Sequence, residues 1–271
     1  MPTPSPARIA DAELAALRET AAAMANAARA ETLRHFRSPL LAPDNKAASG
    51  FDPVTEADRA CERAMRAILA ERRPQDAILG EEYGPSPGTS GLTWVLDPID
   101  GTRAYLCGAP TWGVLIGVTD GNGPLYGLID HPWTGEWFEG GPGLARATAP
   151  QGSRDLAVRQ GVALAQATLM TTYPEVGDAE ETAAFRRVAG SVRLTRYGFD
   201  CYAYALLALG QVDLVIEAGL QPYDVVAPIA VVQAAGGIVT DWAGNPAHGG
   251  GRVIAAATPE LHAQALALLA G

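Results

Sequence analysis

The sequence predicts an α/β protein built as two packed lobes, and three observations predict it. Apolar residues recur at helical spacing in two long N-terminal stretches. Three strand-like runs then follow in close order from Trp112 to Glu139, with turn residues between them, the pattern of an antiparallel meander. Beyond about residue 145 strand and helix patterns alternate, the mark of an α/β layer. The chain has 271 residues, enough for one large domain or two moderate ones. The change of rhythm divides it into an N-terminal α+β lobe, 1–145, and a C-terminal α/β lobe, 146–271, with an active site expected between them.

Each element has a local reason. Residues 1–8 are expected to be loose. Leu14, Leu17, Ala21, Met24 and Ala28 repeat at helical spacing and predict a helix from Asp11 to about Phe36. A loop rich in Pro, Asn, Ser and Gly follows from Ser38 to Pro53, with Lys46 inside it. The second helix starts at Thr55, where Thr55 and Asp58 have capping-box spacing, and stops before Pro74. Ala77 to Gly80 reads as a short strand running into Glu81-Glu82, and Gly84 to Gly91 as a loop. Leu92 to Leu96 is a buried strand, and Gly101-Thr102 open a short helix. The meander strands are Trp112 to Thr119, Leu125 to His131 and Glu136 to Glu139. In the second lobe the strands are Leu169 to Thr172, Val192 to Arg196, Val212 to Glu217, Ile238 to Asp241 and Val253 to Ala256. The helices there are Ala179 to Val188, Cys201 to Leu209, Asp224 to Ala235 and Pro259 to Leu269.

Composition narrows the partners. Hydrophobic residues make up 48% of the chain, which suffices for a substantial core. The net charge of −10 argues against a nucleic-acid or anionic-membrane binder. No apolar run reaches the roughly 20 residues that span a bilayer, and the acidic flank of the alanine-rich start does not fit a signal peptide. Cys61, Cys107 and Cys201 are odd in number with no CxxC spacing, which suits a reduced cytoplasmic compartment and three small core residues. His35, His131, His248 and His262 show no metal-ligand spacing and read as structural or surface residues.

The central stretch is Trp94-Val-Leu-Asp97-Pro-Ile-Asp100-Gly-Thr102. It sets two carboxylates at a strand end, where they repel unless a positive charge lies between them. Hard cations such as Mg²⁺ take carboxylate and carbonyl oxygens, and a helix start offers free N–H groups to a phosphate. Taken alone, the same residues are also a strand, a proline turn and an Asx turn. The functional reading gains from other acids at element ends: Glu81, Asp58 and Asp224. Glu81 and Asp97 with the Ile99 carbonyl would hold one ion, and Asp97, Asp100 and Asp224 another. Two such ions suit phosphate-ester cleavage, one activating water and one steadying the leaving alkoxide. Thr102 would orient the attacking water and pass a proton toward Asp58, while the N–H groups of Gly101 and Thr102 hold the phosphate. Asp58 as a plain cap, and Asp224 as a helix-start acid, are the competing readings. Tyr202 and Tyr204 read as packing residues.

These pieces resemble the inositol monophosphatase family. The matching motifs are Asp52-Pro-Val-Thr-Glu-Ala-Asp58, Gly80-Glu81-Glu82, the central stretch, Tyr223-Asp224-Val-Val-Ala-Pro228 and Ala235-Gly-Gly-Ile-Val-Thr-Asp241, in order from about residue 46 to 256. The resemblance implies a layered α/β/α/β/α sandwich like that of the fructose-1,6-bisphosphatases, dependence on two to three Mg²⁺ ions, Li⁺ sensitivity and a homodimer. It carries metal-ligand roles to Glu81, Asp97, Ile99, Asp100 and Asp224, and water activation to Thr102 with Asp58. Phe199-Asp200-Cys201-Tyr202-Ala203-Tyr204, Glu217-Ala-Gly-Leu-Gln-Pro-Tyr-Asp224, Gly127-Leu-Ile-Asp-His-Pro-Trp-Thr-Gly135 and Trp112-Gly-Val-Leu-Ile116 are similar to its histidinol-phosphatase branch. Asp200 and Glu217 would then meet the amine and imidazole of histidinol phosphate, with Asp200 as a helix N-cap the alternative. Tyr223, where many members outside this branch have Trp, and Gln233, where an acid often stands, depart from the family pattern. The expected function is phosphomonoester hydrolysis of L-histidinol phosphate in histidine biosynthesis. The alternatives are an inositol-1-phosphate or sugar-phosphate phosphatase and, outside enzymes, a metal or phosphometabolite binder with a regulatory role.

Overall fold

The computed structural model describes residues 9–38, 44–45 and 53–271. The expected loose start, and Lys46 and Asp52 in the loop after the first helix, lie outside the described residues. Helix α1 (Asp11–His35) precedes a two-residue pair, β1 (Asp44–Asn45) and β2 (Pro53–Val54). Helix α2 (Glu56–Arg72) starts at Thr55, whose side chain accepts from the Ala57 N–H while Asp58 reaches back to the Thr55 N–H. Strands β3 (Ala77–Gly80), β4 (Gly84–Ser86) and β5 (Thr93–Asp100) lead to the five-residue helix α3 (Thr102–Leu106). The meander follows as β6 (Gly113–Thr119), β7 (Pro124–His131), β8 (Glu136–Gly141), β9 (Leu144–Ala149) and β10 (Gly152–Asp155).

These strands form one eight-stranded sheet in the order β10-β9-β8-β7-β6-β5-β3-β4, antiparallel except where β3 and β5 run parallel. The sheet runs past residue 145 through β9 and β10. The first sheet ends with β10 at Asp155, and the strands of the second sheet begin at Thr168. β4 and β10, polar and glycine- or proline-containing, carry too few strand-forming residues to be read as strands from the sequence.

The second sheet uses β11 (Thr168–Thr171), α4 (Ala179–Ala189), β12 (Leu194–Tyr197), α5 (Cys201–Ala208), β13 (Leu214–Leu220), α6 (Pro222–Ala234), β14 (Ile238–Thr240), β15 (Gly251–Ala256) and α7 (Pro259–Ala270). Its strand order is β12-β11-β13-β15-β14, parallel across β12, β11 and β13 and antiparallel beyond. Leu17, Met24 and Ala28 of α1 and Cys61, Met65 and Leu69 of α2 bury one face of the first sheet against Trp94, Leu96, Val114, Ile116 and Leu128. The other face, through Leu115, Ile129 and Phe138, shares a core with α5, α6 and the second sheet, which α4 and α7 cover through Phe185, Val188, Leu261 and Ala265. The result is the layered α/β/α/β/α sandwich.

One contact sets where α6 lies. Gly117, Gly127 and Gly140 stand opposite one another on β6, β7 and β8. A Cβ at any of them would overlap Val226, Ala227 or Val231 of α6. The helix therefore rests directly on strand backbones, and its first turn, with Asp224, reaches the end of β5.

Candidate active site

The end of β5 is bent to serve the site. Asp97 pairs with Leu115 and Asp100 with Gly113, so three steps on β5 oppose two on β6. In a regular strand residues three apart face opposite sides; the extra residue of a bulge turns Asp97 and Asp100 to the same side. Asp97 Oδ1 accepts from the Ile99 N–H at 3.0 Å, and the Thr102 hydroxyl donates to the Ile99 carbonyl at 3.0 Å. Asp100 Oδ2 accepts from the Cys201 N–H at 2.6 Å, tying β5 to the start of α5. Asp224 Oδ2 accepts from the Gln221 N–H at 2.6 Å, so Asp224 both caps α6 and faces the site.

Oxygens of Asp97, Asp100 and Asp224 lie within 4.8 Å of one another. They border a cavity of about 420 Å³ whose wall also holds Glu81, Ile99, Gly101, Thr102 and Asp200. The structure thus gathers every residue expected to hold a metal or a phosphate. Burial pushes the Asp97 carboxyl well above the usual range, and Glu81, Asp100 and Asp224 push the same way. Asp100 is raised by burial and by Asp200 and Asp224. Asp224 rises to about 7, mainly by burial and despite the Gln221 N–H. Such a wall disfavours several negative charges at once unless a cation is supplied, and its donors are the hard oxygens that a divalent ion takes. The residues therefore fit a metal.

Asp200 lies at the start of α5 with φ +46°, in the left-handed region, and its side chain caps nothing. Its carboxyl instead leans over Gly101, where a Cβ would meet Cγ and Oδ2 at 2.8 Å. Gly101 itself has φ +81°. Burial raises Asp200 to about 6, against the pull of the Arg103 guanidinium. Asp200 thus occupies the N-cap position of α5 without a capping hydrogen bond from its side chain.

Two expected residues sit off the cavity wall. Glu217 is buried and bonded to its own lobe: it accepts from the Thr172 N–H at 2.7 Å and from the Thr172 and Thr171 hydroxyls at 3.0 and 3.1 Å. It lies behind the cavity wall, where it holds Thr172, which lines the cavity, and feels the charge of Asp200, which lines it too. Asp58 is buried, and its Oδ2 accepts from the Thr55 N–H at 2.8 Å and the Thr55 hydroxyl at 2.6 Å. The Thr102 hydroxyl points to Ile99, so no hydrogen bond joins Thr102 to Asp58 here. Cys107, at the C-cap of α3, is exposed rather than in the core. Arg103 and Tyr173 also line the cavity and were not singled out in the sequence. The Arg103 guanidinium donates to the Tyr173 hydroxyl at 2.7 Å and lies 5.3 Å from its ring. Their positions, 70 apart, carry no local signal.

Comparison with known proteins then decides the family. The model of the inositol monophosphatase family matches residues 13–270. The chain belongs to the inositol monophosphatase family. As a member it is 39% identical to the chloroplastic bifunctional phosphatase IMPL2 of Arabidopsis thaliana, over 97% of this chain and 77% of that protein. It is 34% identical to a histidinol-phosphatase of Streptomyces coelicolor, over 91% of this chain and 94% of that one. The structure of an inositol monophosphatase from Zymomonas mobilis superposes with a TM-score of 0.84 at 36% identity, covering 97% of this chain and all of that one (100%). The family is one of phosphatases that generally depend on metal, and the acidic cluster accords with that. Among the described residues no helix is long and apolar enough to cross a membrane.

Proposed function

We propose that this family member hydrolyses L-histidinol phosphate to L-histidinol with Mg²⁺, and that Asp200 sets the choice. The observation that carries the reading is the Asp200 carboxylate, held over Gly101 on the wall of a cavity that already holds the acidic cluster. A neutral polyol phosphate has no need of a further acid there, whereas a substrate bearing an amine and an imidazole does. The likeness to the Streptomyces histidinol-phosphatase supports it.

Glu81, Asp97, Asp100, Asp224 and the Ile99 carbonyl would hold two to three cations, which when bound supply an acidified water and charge relief at the leaving alkoxide. The chain's own groups do the rest. The Thr102 hydroxyl donates a hydrogen bond to the Ile99 carbonyl and keeps its lone pairs to accept from a water. Relay of a proton from Thr102 to Asp58 requires that hydroxyl to rotate off Ile99. Backbone N–H groups of Gly101 and Thr102 orient the phosphate. Lithium inhibition, a homodimer, a cytoplasmic location and a place in histidine biosynthesis belong to the same proposal.

A panel of phosphate esters with Mg²⁺ tests it. Histidinol phosphate should turn over far faster than inositol 1-phosphate, and Asp200→Asn should cut the first rate by about 10- to 100-fold relative to the second, the worth of a charged hydrogen bond. Equal rates on both substrates would move the assignment to an inositol or sugar phosphatase, the reading that the Zymomonas structure favours. Mg²⁺ binding without phosphate release from any ester would favour a binding protein instead.

A further inference from the structure

We infer that Glu62 and Arg66 of α2 form a clamp that positions Glu81 for cation binding, an assignment that rests on the metal-dependent reading above. Glu62 is a carboxylate with no exposed surface (0%), and a buried charge persists only where it is paired and hydrogen-bonded. Its partners all belong to one turn or to Arg66. Oε2 accepts from the Glu82 N–H at 2.7 Å, and Oε1 accepts from the Tyr83 N–H at 3.3 Å and from Arg66 Nε at 2.7 Å. The same guanidinium continues across the turn, where Nη1 donates to the Ser86 hydroxyl at 2.9 Å and Nη2 to the Gly84 carbonyl.

The turn so held is the one that presents Glu81. Gly80 pairs with Gly84, so Glu81, Glu82 and Tyr83 alone connect β3 to β4. Fixing the two N–H groups after Glu81, and the carbonyl that closes the turn, leaves its backbone little freedom. Gly80 completes the fit: a Cβ there would overlap the Glu62 carboxyl and come within 2.8 Å of Arg66 Nη2. Glu62 and Arg66 themselves stay off the cavity wall. They are positioning residues, which reach a cation only through Glu81. Partners that hold a metal ligand in place commonly change affinity or activity 10- to 100-fold when removed.

The test titrates the full chain and the variants Glu62→Ala, Glu62→Gln and Arg66→Lys with MgCl₂. Two curves are read: the Mg²⁺-dependent rise in melting temperature, and phosphate release from histidinol phosphate. Glu62→Ala should raise the half-saturating Mg²⁺ concentration about 10- to 100-fold in both, with most of kcat regained at saturation. Arg66→Lys, which cannot reach Ser86 and Gly84 together, should shift it the same way by less. Glu62→Gln, whose amide oxygen still accepts from Glu82, should lie nearest the wild type. A folded Glu62→Ala protein with wild-type half-saturation overturns the inference, even if its metal-free melting point is lower. If Glu62→Ala does not fold, Arg66→Lys decides by the same criterion. A wild-type protein with no response to Mg²⁺ in either curve refutes the metal reading itself.

Discussion

Replacing Gly101 by alanine tests whether Asp200 is held where the site needs it. Residue 101 has φ +81°, and a non-glycine residue in that region costs about 1–2 kcal/mol. The new Cβ would also lie 2.8 Å from the Asp200 carboxyl and 3.0 Å from Asp200 Cβ, and overpacking of that kind adds about 1–3 kcal/mol. Together the loss is about 2–5 kcal/mol, and a chain of this size melts about 2–4 °C lower per kcal/mol. The carboxyl can escape by rotating off the wall, in which case stability suffers less and turnover of histidinol phosphate suffers more. A double-mutant cycle separates the parts. In an Asp200→Gly background the steric cost disappears and only the backbone cost, about 1–2 kcal/mol, is left. Thermal melts and kcat/KM on both substrates are the assays. A Gly101→Ala protein with wild-type melting temperature and wild-type substrate preference would refute the packing of Asp200 over residue 101.

Three further outcomes are expected. Asp97→Asn should abolish turnover, keep the fold and leave the metal-free melting temperature equal or higher, since it removes one of several buried carboxylates that repel; a fully active variant contradicts its ligand role. Wild-type protein at 100-fold excess of Mg²⁺ over its dissociation constant should gain about 2.7 kcal/mol, visible as a melting shift that EDTA reverses and Asp97→Asn lacks. His131 is buried, its Nδ1–H donates to the Trp112 carbonyl at 2.9 Å, and burial lowers its pKa to about 4. The unfolded chain therefore binds this proton first as pH falls, so stability is lost between about pH 6.5 and 4 at up to about 1.4 kcal/mol per pH unit and is fully present above 6.5. Chemical denaturation of wild type and His131→Asn across that range should show the difference shrinking toward low pH; parallel curves would exclude it.

Much of this protein was legible in its sequence because the signals involved are local. Helical spacing from Leu14 to Ala28, the Thr55–Asp58 box, and the turn residues between the meander strands act over a few neighbours. So does the placing of Glu81, Asp97, Asp100 and Asp224 at the ends of elements. Strands β9 and β10 escaped because small and polar residues form them only when a neighbouring strand is already in place. What the folded chain alone decided is direction. The bulge that turns Asp97 and Asp100 to one side needs β6 beside it. Asp100 meets Cys201 across 101 residues. Glu217 turns inward because Thr171 and Thr172, 45 or 46 residues away, offer it three donors, while Asp200 turns outward over Gly101. A sequence specifies which residue types stand at the end of a strand or helix. Which way each carboxylate faces depends on the packing of distant elements, and the glycine stripe under α6 shows how closely that packing is set.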